Sequence, residues 1–356
     1  MPPESETVTD SRQRKLEVID VAVGGDVHRI VLNGVRAFPG DSVRAQMNHL
    51  QNHADGLRRL LISDPYGADH MCVDLLVEAK RPEAELGFVI MEVMGYPTFS
   101  GSNSMAAASV AIEEGLVGCD PSRDRCTATL ESPGGLVEVD AQLQRGRVTS
   151  ITVAGEPAFV LAADQSVEVP GLGRVAYDLL WSGGYYVMVD AVKLGCEVLW
   201  SQAGKLTDVA GRIIEAIRAF ATPPHPVYGN VGPPAFLHFM GPLDRQTDGG
   251  LRAPAATYGH PGVLWRSPTG TGASARLALM TARGEAGTGS RLAAVSPKGH
   301  VFDDTITGLT EVAGIPAVAT SVTARPYRIA RLDITVDLDD PAVAGLELEG
   351  ILDAQR

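Results

Sequence analysis

The chain has 356 residues, of which 45% are hydrophobic and 21% charged, a composition that excludes wholesale disorder, collagen-like repeats and a small disulfide scaffold and fits about two globular domains. Thirty Lys+Arg against 43 Asp+Glu give a net charge of −13, with no basic cluster able to neutralise a run of phosphates, which excludes nucleic acid as a partner. No stretch approaches the roughly 18 apolar residues of a membrane span and the N-terminus lacks an apolar signal core, so a cytoplasmic protein with no membrane partner is expected.

Residues 1 to 15 are polar and read as a disordered tail, with order beginning at Leu16. LEVIDVAVGG and VHRIVLNG then read as two strands joined at Gly24-Gly25. One helix should open at Asp41 or Ser42, carry Val43, Met47, Leu50, Leu57, Leu60 and Leu61 on one face, and stop before Asp64-Pro65. HMCVDLLVEA alternates as a strand does, and GFVIMEV is a nearly continuous apolar run of the kind buried on both faces. Further along, YDLLWSGGYYVMVDA reads as two strands around Gly183-Gly184. GKLTDVAGRIIEAIRAFA reads as an amphipathic helix with Val209, Ile213, Ile214, Ile217 and Phe220 facing the core.

The chain also resembles itself. SGSNSMAAASVAIEEG begins at Ser100 and TGTGASARLALMTARG at Thr269; each runs hydroxyl, glycine, hydroxyl, small residues and a helical stretch, and each ends in glycine fifteen positions after its start. VAGEPA at 153–158 and VAGIPA at 312–317 share five of six letters. Repetition in the same order implies two similar α/β (α+β) lobes, each a curved mixed sheet around a central helix, facing each other across a cleft. The N-terminal lobe is expected over 16–168, with residues 336–356 packing back on it, and the C-terminal lobe over 169–335. The 39 glycines, well above the usual share of roughly 7%, fall partly at these repeated places.

A helix that starts SGSNS or TGTGAS presents unpaired backbone N–H groups and the positive end of its dipole, and glycine leaves room for an anion to approach. Two such starts meeting across a pseudo-twofold axis would hold one small anion from two sides, with Ser100 and Thr269 on opposite sides of the adjoining ligand atom. Taken singly, each residue reads better as a plain N-cap; taken as a repeated pair, they read better as one shared site. His49 and His53 stand four apart but lack an accompanying glutamate, and read as surface residues. His225 and His260 lie in turns that could approach the cleft. No glycine string has dinucleotide or P-loop context. Cys72, Cys119, Cys126 and Cys196 read as reduced structural thiols.

GYPTFSGSNSM resembles the GYxxMCGHG segment of the proline racemase family, and RSPTGTGASARLA its DRSPCGTGTSARLA segment. PGDSV with NHADGLRRLL resembles that family's first helix, WSGGYYVMVDA its GGxFYAxVDA strands, and GIPAVATSVT through DLDDPAVAGLEL its C-terminal strands. The resemblance implies a diaminopimelate epimerase-like fold and a cofactor-independent enzyme acting at the α-carbon of proline or a hydroxyproline. It places Ser100 and Thr269 where racemases and epimerases carry two acid/base cysteines. A thiol titrates near 8.5, whereas an alcohol is hardly ever ionised near neutrality, so symmetric two-base inversion is disfavoured.

Threonine at the second position resembles the trans-3-hydroxy-L-proline dehydratase branch, with 1-pyrroline-2-carboxylate as the product. Ser100 would then take the α-proton, Thr269 would orient the ring or the leaving hydroxyl, and Gly101, Ser102, Gly270 and Thr271 would hold the carboxylate. The alternatives are a proline racemase or 4-hydroxyproline 2-epimerase, and a catalytically silent homologue that binds a small amino acid. Ser102 stands in place of the family's histidine, and Trp265 in place of the aspartate expected to hold the substrate's amino group. Asp64-Pro65-Tyr66-Gly67 replaces Glu-Pro-Arg-Gly, and His238 lies near the family's cleft histidine. Oligomeric state is left open, with a homodimer the assembly to test.

Overall fold

The computed structural model describes residues 12–353. Eighteen strands are hydrogen-bonded into one continuous, strongly curved sheet system. The first half contains β1 (Gln13–Val23), β2 (Asp26–Asn33), helices α1 (Val43–His53) and α2 (Gly56–Leu61), β3 (Cys72–Val77), β4 (Leu86–Met91), α3 (Gly101–Glu113), β5 (Arg125–Ser132), β6 (Gly135–Gln144) and β7 (Arg147–Ala154). After β8 (Ala158–Val169), the second half contains β9 (Gly173–Trp181), β10 (Tyr185–Asp190), α4 (Ala203–Arg218), β11 (Phe236–Met240), β12 (Asp244–Arg245), β13 (Leu251–Gly259), β14 (Val263–Leu264), α5 (Gly270–Ala282), β15 (Arg291–Val295), β16 (Val301–Val312) and β17 (Ile315–Ala324). β18 (Pro326–Asp337) follows.

The two halves repeat one pairing scheme. β1 pairs antiparallel with β2, β2 parallel with β3, β3 antiparallel with β4 and β4 parallel with β5. β9, β10, β11, β13 and β15 do the same in that order. Hairpins β5–β6–β7 and β15–β16–β17 follow in each half. Duplication, expected from the helix starts, is thus present in the sheet as well.

The repeat corrects one of its own supports. VAGIPA forms the β16–β17 hairpin, whose Ala313 and Gly314 have φ of 49° and 82°. Its counterpart is the β6–β7 turn, where Arg145 and Gly146 have φ of 54° and 72°. VAGEPA instead runs from the last residues of β7 to the first of β8, so the five shared letters are coincidence. The turns that do correspond are Ser132-Pro133-Gly134-Gly135 and Ser296-Pro297-Lys298-Gly299, which join equivalent strands.

The lobe boundaries also differ from expectation. β8 falls almost wholly within the expected first lobe yet pairs with β9, and β18 begins at Pro326 yet pairs along its length with β1, so the halves exchange a strand each way. β1 starts at Gln13, paired to Asp337, and Gln13–Lys15 are therefore strand rather than tail; the rest of the expected tail lies outside the described residues, apart from Arg12. In the C-terminal segment, Val343, Leu348, Ile351 and Leu352 join the core formed by α1, α2 and their strands.

Helices α3 and α5 are the two central ones. Eleven of the thirteen residues of α3 are buried, and its alanine run lets the sheet close around a narrow helix, against Ile19, Phe88, Val137 and Val153. Ten of the thirteen residues of α5 are buried, and it packs among Met188, Leu251 and Ile306. The single helix expected over 42–61 is instead two, because Ala54 leaves helical geometry and the chain restarts at Gly56. A Cβ there would lie 1.7 Å from the Leu346 carbonyl oxygen of the C-terminal segment. α4 buries Val209, Ile213, Ile214 and Ile217, each worth about 1.5–3 kcal/mol of apolar burial. Phe220 falls beyond its end and is 69% exposed, against expectation.

Cys119 and Cys126 form a disulfide, with Cα atoms 5.7 Å apart, which corrects the reading of four reduced thiols. A turn closed from Arg123 N–H to the Asp120 carbonyl folds the segment back so that the loop after α3 meets the start of β5. Cys72 and Cys196 are free and buried.

Candidate active site

The starts of α3 and α5 meet at a cavity of about 260 Å³. Ser100, Gly101 and Ser102 line it from one half; Trp265, Thr269, Gly270 and Thr271 line it from the other. The structure therefore brings together every site residue expected from the sequence except His238. Phe99, Tyr186 and Phe236 give it aromatic walls, and Glu92 supplies a carboxyl group.

The two helix starts are similar in position and different in geometry. Ser100 is an extended N-cap, with φ −154° and ψ 129°, and its hydroxyl accepts from the Asn103 N–H at 3.5 Å. Thr269 has φ 57° and ψ 117° and makes no side-chain cap bond. A β-branched residue at positive φ is strained, and its hydroxyl is committed elsewhere. The N-cap alternative thus holds for Ser100 and fails for Thr269.

Behind each hydroxyl runs a chain of hydrogen bonds that begins at a buried histidine. Asn103 Nδ2 donates to Ser100 Oγ at 2.8 Å and to Glu92 Oε1 at 2.9 Å, which spends both amide protons; its Oδ1 meets His28 Nδ1 at 3.0 Å. On the other side His238 Nδ1 lies 2.8 Å from Thr257 Oγ1, which lies 2.6 Å from Thr269 Oγ1. Both histidines are fully buried, and burial lowers His28 to about 4 and His238 to about 3, so both are neutral near pH 7. Nε2 of each has no partner, which is cheapest as a bare lone pair. Nδ1 then carries the proton and donates toward the cavity, through Asn103 to Ser100 and through Thr257 to Thr269. Each hydroxyl oxygen is satisfied from behind, and its own proton is left to face the cavity.

His238 is therefore not a substrate contact, as had been expected, but stands one layer behind. Its position on β11, opposite Thr257 on β13, turns the ring beneath the first turn of α5. A Cβ on Gly272 would come within 2.4 Å of its Nδ1, so glycine there is what permits the approach. By register, Asp74 on β3 is its counterpart: Cys72 pairs with His28 as Phe236 pairs with Tyr186, and Asp74 and His238 each lie two residues on. Asp74 is fully buried, and burial holds its carboxyl well above the usual range. His225 sits in an aromatic cluster with Trp181 and Tyr228, and His260 pairs with Glu215; neither lines the cavity. The rings of His49 and His53 are 5.3 Å apart, and among the described residues no group of three or more His, Cys, Asp or Glu could hold a metal.

The altered motif at 64–67 lies outside the cavity. The Tyr66 carbonyl accepts from Arg29 at 2.6 Å, and its hydroxyl donates to Asp340 at 3.2 Å. Tyr186 bonds Thr271 Oγ1 at 2.5 Å, and burial pushes its hydroxyl above the ordinary phenol range. The Asp26 carboxylate, at the β1–β2 turn, accepts from the Arg266 and Ser267 amides at 2.7 and 3.1 Å and ties the segment before α5 to the opposite half.

The model of the family described as proline racemase matches residues 18–347. The chain belongs to the proline racemase family. A protein of Chromohalobacter salexigens is 44% identical over 96% of this chain and 94% of its own length. A 4-hydroxyproline 2-epimerase of Rhizobium rhizogenes is 31% identical over 95% of this chain and 97% of its own. The crystal structure of a hydroxyproline epimerase from Agrobacterium vitis, with trans-4-hydroxy-L-proline bound, superposes with a TM-score of 0.84 at 31% identity, covering 93% of this chain and 95% of that one. Sequence reasoning within the family missed Glu92, Asn103, Tyr186 and Thr257. Only Glu92 carried a legible signal, as the one charge in the apolar run GFVIMEV. No helix among the described residues is long and apolar enough to cross a membrane.

Proposed function

We propose that this member of the proline racemase family removes water from trans-3-hydroxy-L-proline, giving 1-pyrroline-2-carboxylate. The observation that carries the reading is the inequality of the two hydroxyls: both face one cavity, yet they differ in backbone geometry and in what stands behind them, and among the described residues no thiol lines the cavity. Racemisation needs two groups that exchange a proton on equal terms, whereas elimination needs two with different tasks. The substrate carboxylate would lie on the first-turn amides of α3 and α5 at Gly101, Ser102, Gly270 and Thr271. Ser100, having first given its hydroxyl proton to solvent, would take the α-proton as the alkoxide, with the Asn103 amide and the α3 dipole stabilising the charge on its oxygen. Thr269, oriented by His238 through Thr257, would donate its proton to the departing hydroxyl, which leaves as water, and would regain a proton from solvent as Ser100 returns its own. The enamine formed by loss of the α-proton and hydroxide then tautomerises to the cyclic imine.

Incubation with trans-3-hydroxy-L-proline and assay for the cyclic imine tests this directly, and Ser100→Ala abolishes turnover while pyrrole-2-carboxylate still binds. The named relatives favour a second reading, 4-hydroxyproline 2-epimerisation. Rapid α-proton exchange on 4-hydroxyproline without water loss decides for it. Binding without turnover on any proline or hydroxyproline isomer decides for a silent binder.

A further inference from the structure

With Trp265 where a carboxylate is expected, the cavity still needs an acidic group if its ligand is an imino acid. Glu92 is the only carboxyl group among the described residues that line it. It directly follows β4, at the start of the turn leading to α3, is 6% exposed, and has Oε1 fixed by Asn103 at 2.9 Å. The groups acting on it are Asn103, Cys72 and Asp26, none of them cationic. Arg58 reaches only its backbone oxygen, at 2.9 Å. A buried carboxyl without a cation is costly, and burial holds Glu92 above the usual carboxylate range. The two helix starts beside it favour an anion, so a ligand satisfying all three must be negative at one end and positive at the other.

We infer that Glu92 holds the ring nitrogen of the ligand, so that the amine-binding carboxylate stands on the half carrying Ser100 rather than on the segment carrying Trp265. The shared Asn103 amide then sets the carboxyl and the Ser100 hydroxyl in one fixed relation, nitrogen and α-carbon of the same ring being neighbours. The inference rests on the imino-acid reading and deepens it.

Calorimetric titration of the full-length protein with L-proline and with tetrahydrofuran-2-carboxylate, which has oxygen in place of the ring nitrogen, separates the two. Wild type binds L-proline at least tenfold more tightly than the oxygen ring. Glu92→Gln brings the ratio within about twofold and leaves affinity for the oxygen ring unchanged, and Glu92→Asp retains part of it. If the Gln variant fails to fold by circular dichroism, the Asp variant must still lower the ratio at least threefold. A wild type that binds neither ring overturns the imino-acid reading and this inference with it. A Glu92→Gln protein that keeps the preference for L-proline, even with turnover abolished, overturns this inference alone.

Discussion

Thr257→Val removes one hydroxyl and leaves shape nearly unchanged, and that hydroxyl is the middle of the chain behind Thr269. In wild type it lies 2.8 Å from His238 Nδ1 and 2.6 Å from Thr269 Oγ1, with Thr257 and His238 fully buried. Valine orphans the buried Nδ1–H, at about 1–3 kcal/mol of stability. At about 2 °C per kcal/mol, the lower end for large domains, the midpoint of thermal unfolding falls by about 2–6 °C. Thr269 loses the donor that satisfies its oxygen and aims its proton; a hydrogen bond worth about 1.4 kcal/mol at the transition state makes kcat fall about tenfold, with KM little changed. Because His238 is neutral down to about pH 3, the ratio of wild-type to variant kcat stays constant from pH 5 to 9. Steady-state kinetics across that range, with differential scanning calorimetry of both proteins, measure each quantity. A lowered midpoint with kcat within twofold of wild type shows the chain to be structural only. A ratio that bends near pH 6.5 shows a His238 that charges in that range and refutes its neutrality.

Two further predictions concern groups around the core and site. Asp304 is fully buried without a hydrogen-bond partner, and burial raises its carboxyl well above the usual value. Between pH 4 and that raised value the unfolded chain binds fewer protons than the folded one, so stability falls as pH rises. Asp304→Asn therefore gains over wild type by about 1.4 kcal/mol per pH unit above pH 4 and by nothing at pH 3, read from urea midpoints; parallel midpoints at every pH would exclude a neutral buried carboxyl. Gly272→Ala places a methyl 2.4 Å from His238 Nδ1 and 2.6 Å from Thr269 Oγ1, and displacement of both costs about 1–3 kcal/mol with kcat reduced more than binding of pyrrole-2-carboxylate. Unchanged kcat in that variant would contradict the close approach.

Local signals in this chain were strong wherever the backbone itself carried the information. Alternation and apolar runs located β1–β4, glycine pairs located the hairpins, and the two hydroxyl-glycine helix starts located both the repeat and the cavity. These follow from period, turn chemistry and helix ends, which act over a few residues. VAGxPA was misleading for a related reason: letters match by composition, but equivalence is decided by which strands a turn joins. Exchange of β8 and β18 between the halves lay beyond local pattern, because pairing of Gln13 with Asp337 depends on closure of the whole sheet.

The site divides in the same way. That Ser100 and Thr269 line one cavity was legible in the sequence, since each residue starts a helix of the same kind. What stands behind them was not: His28 and Asn103 are 75 residues apart, His238 and Thr257 19, and each pair meets only through strand register and the seating of a central helix. Trp265 in place of an acid was visible as a letter, but the carboxyl that the cavity does contain, Glu92, belongs to the other half and reaches it from the start of the turn that joins β4 to α3. Sequence thus determined which groups are present and which backbone ends they sit on. Tertiary structure decided which hydroxyl receives which donor, because burial neutralises both histidines and leaves each Nδ1 a single direction in which to give its proton.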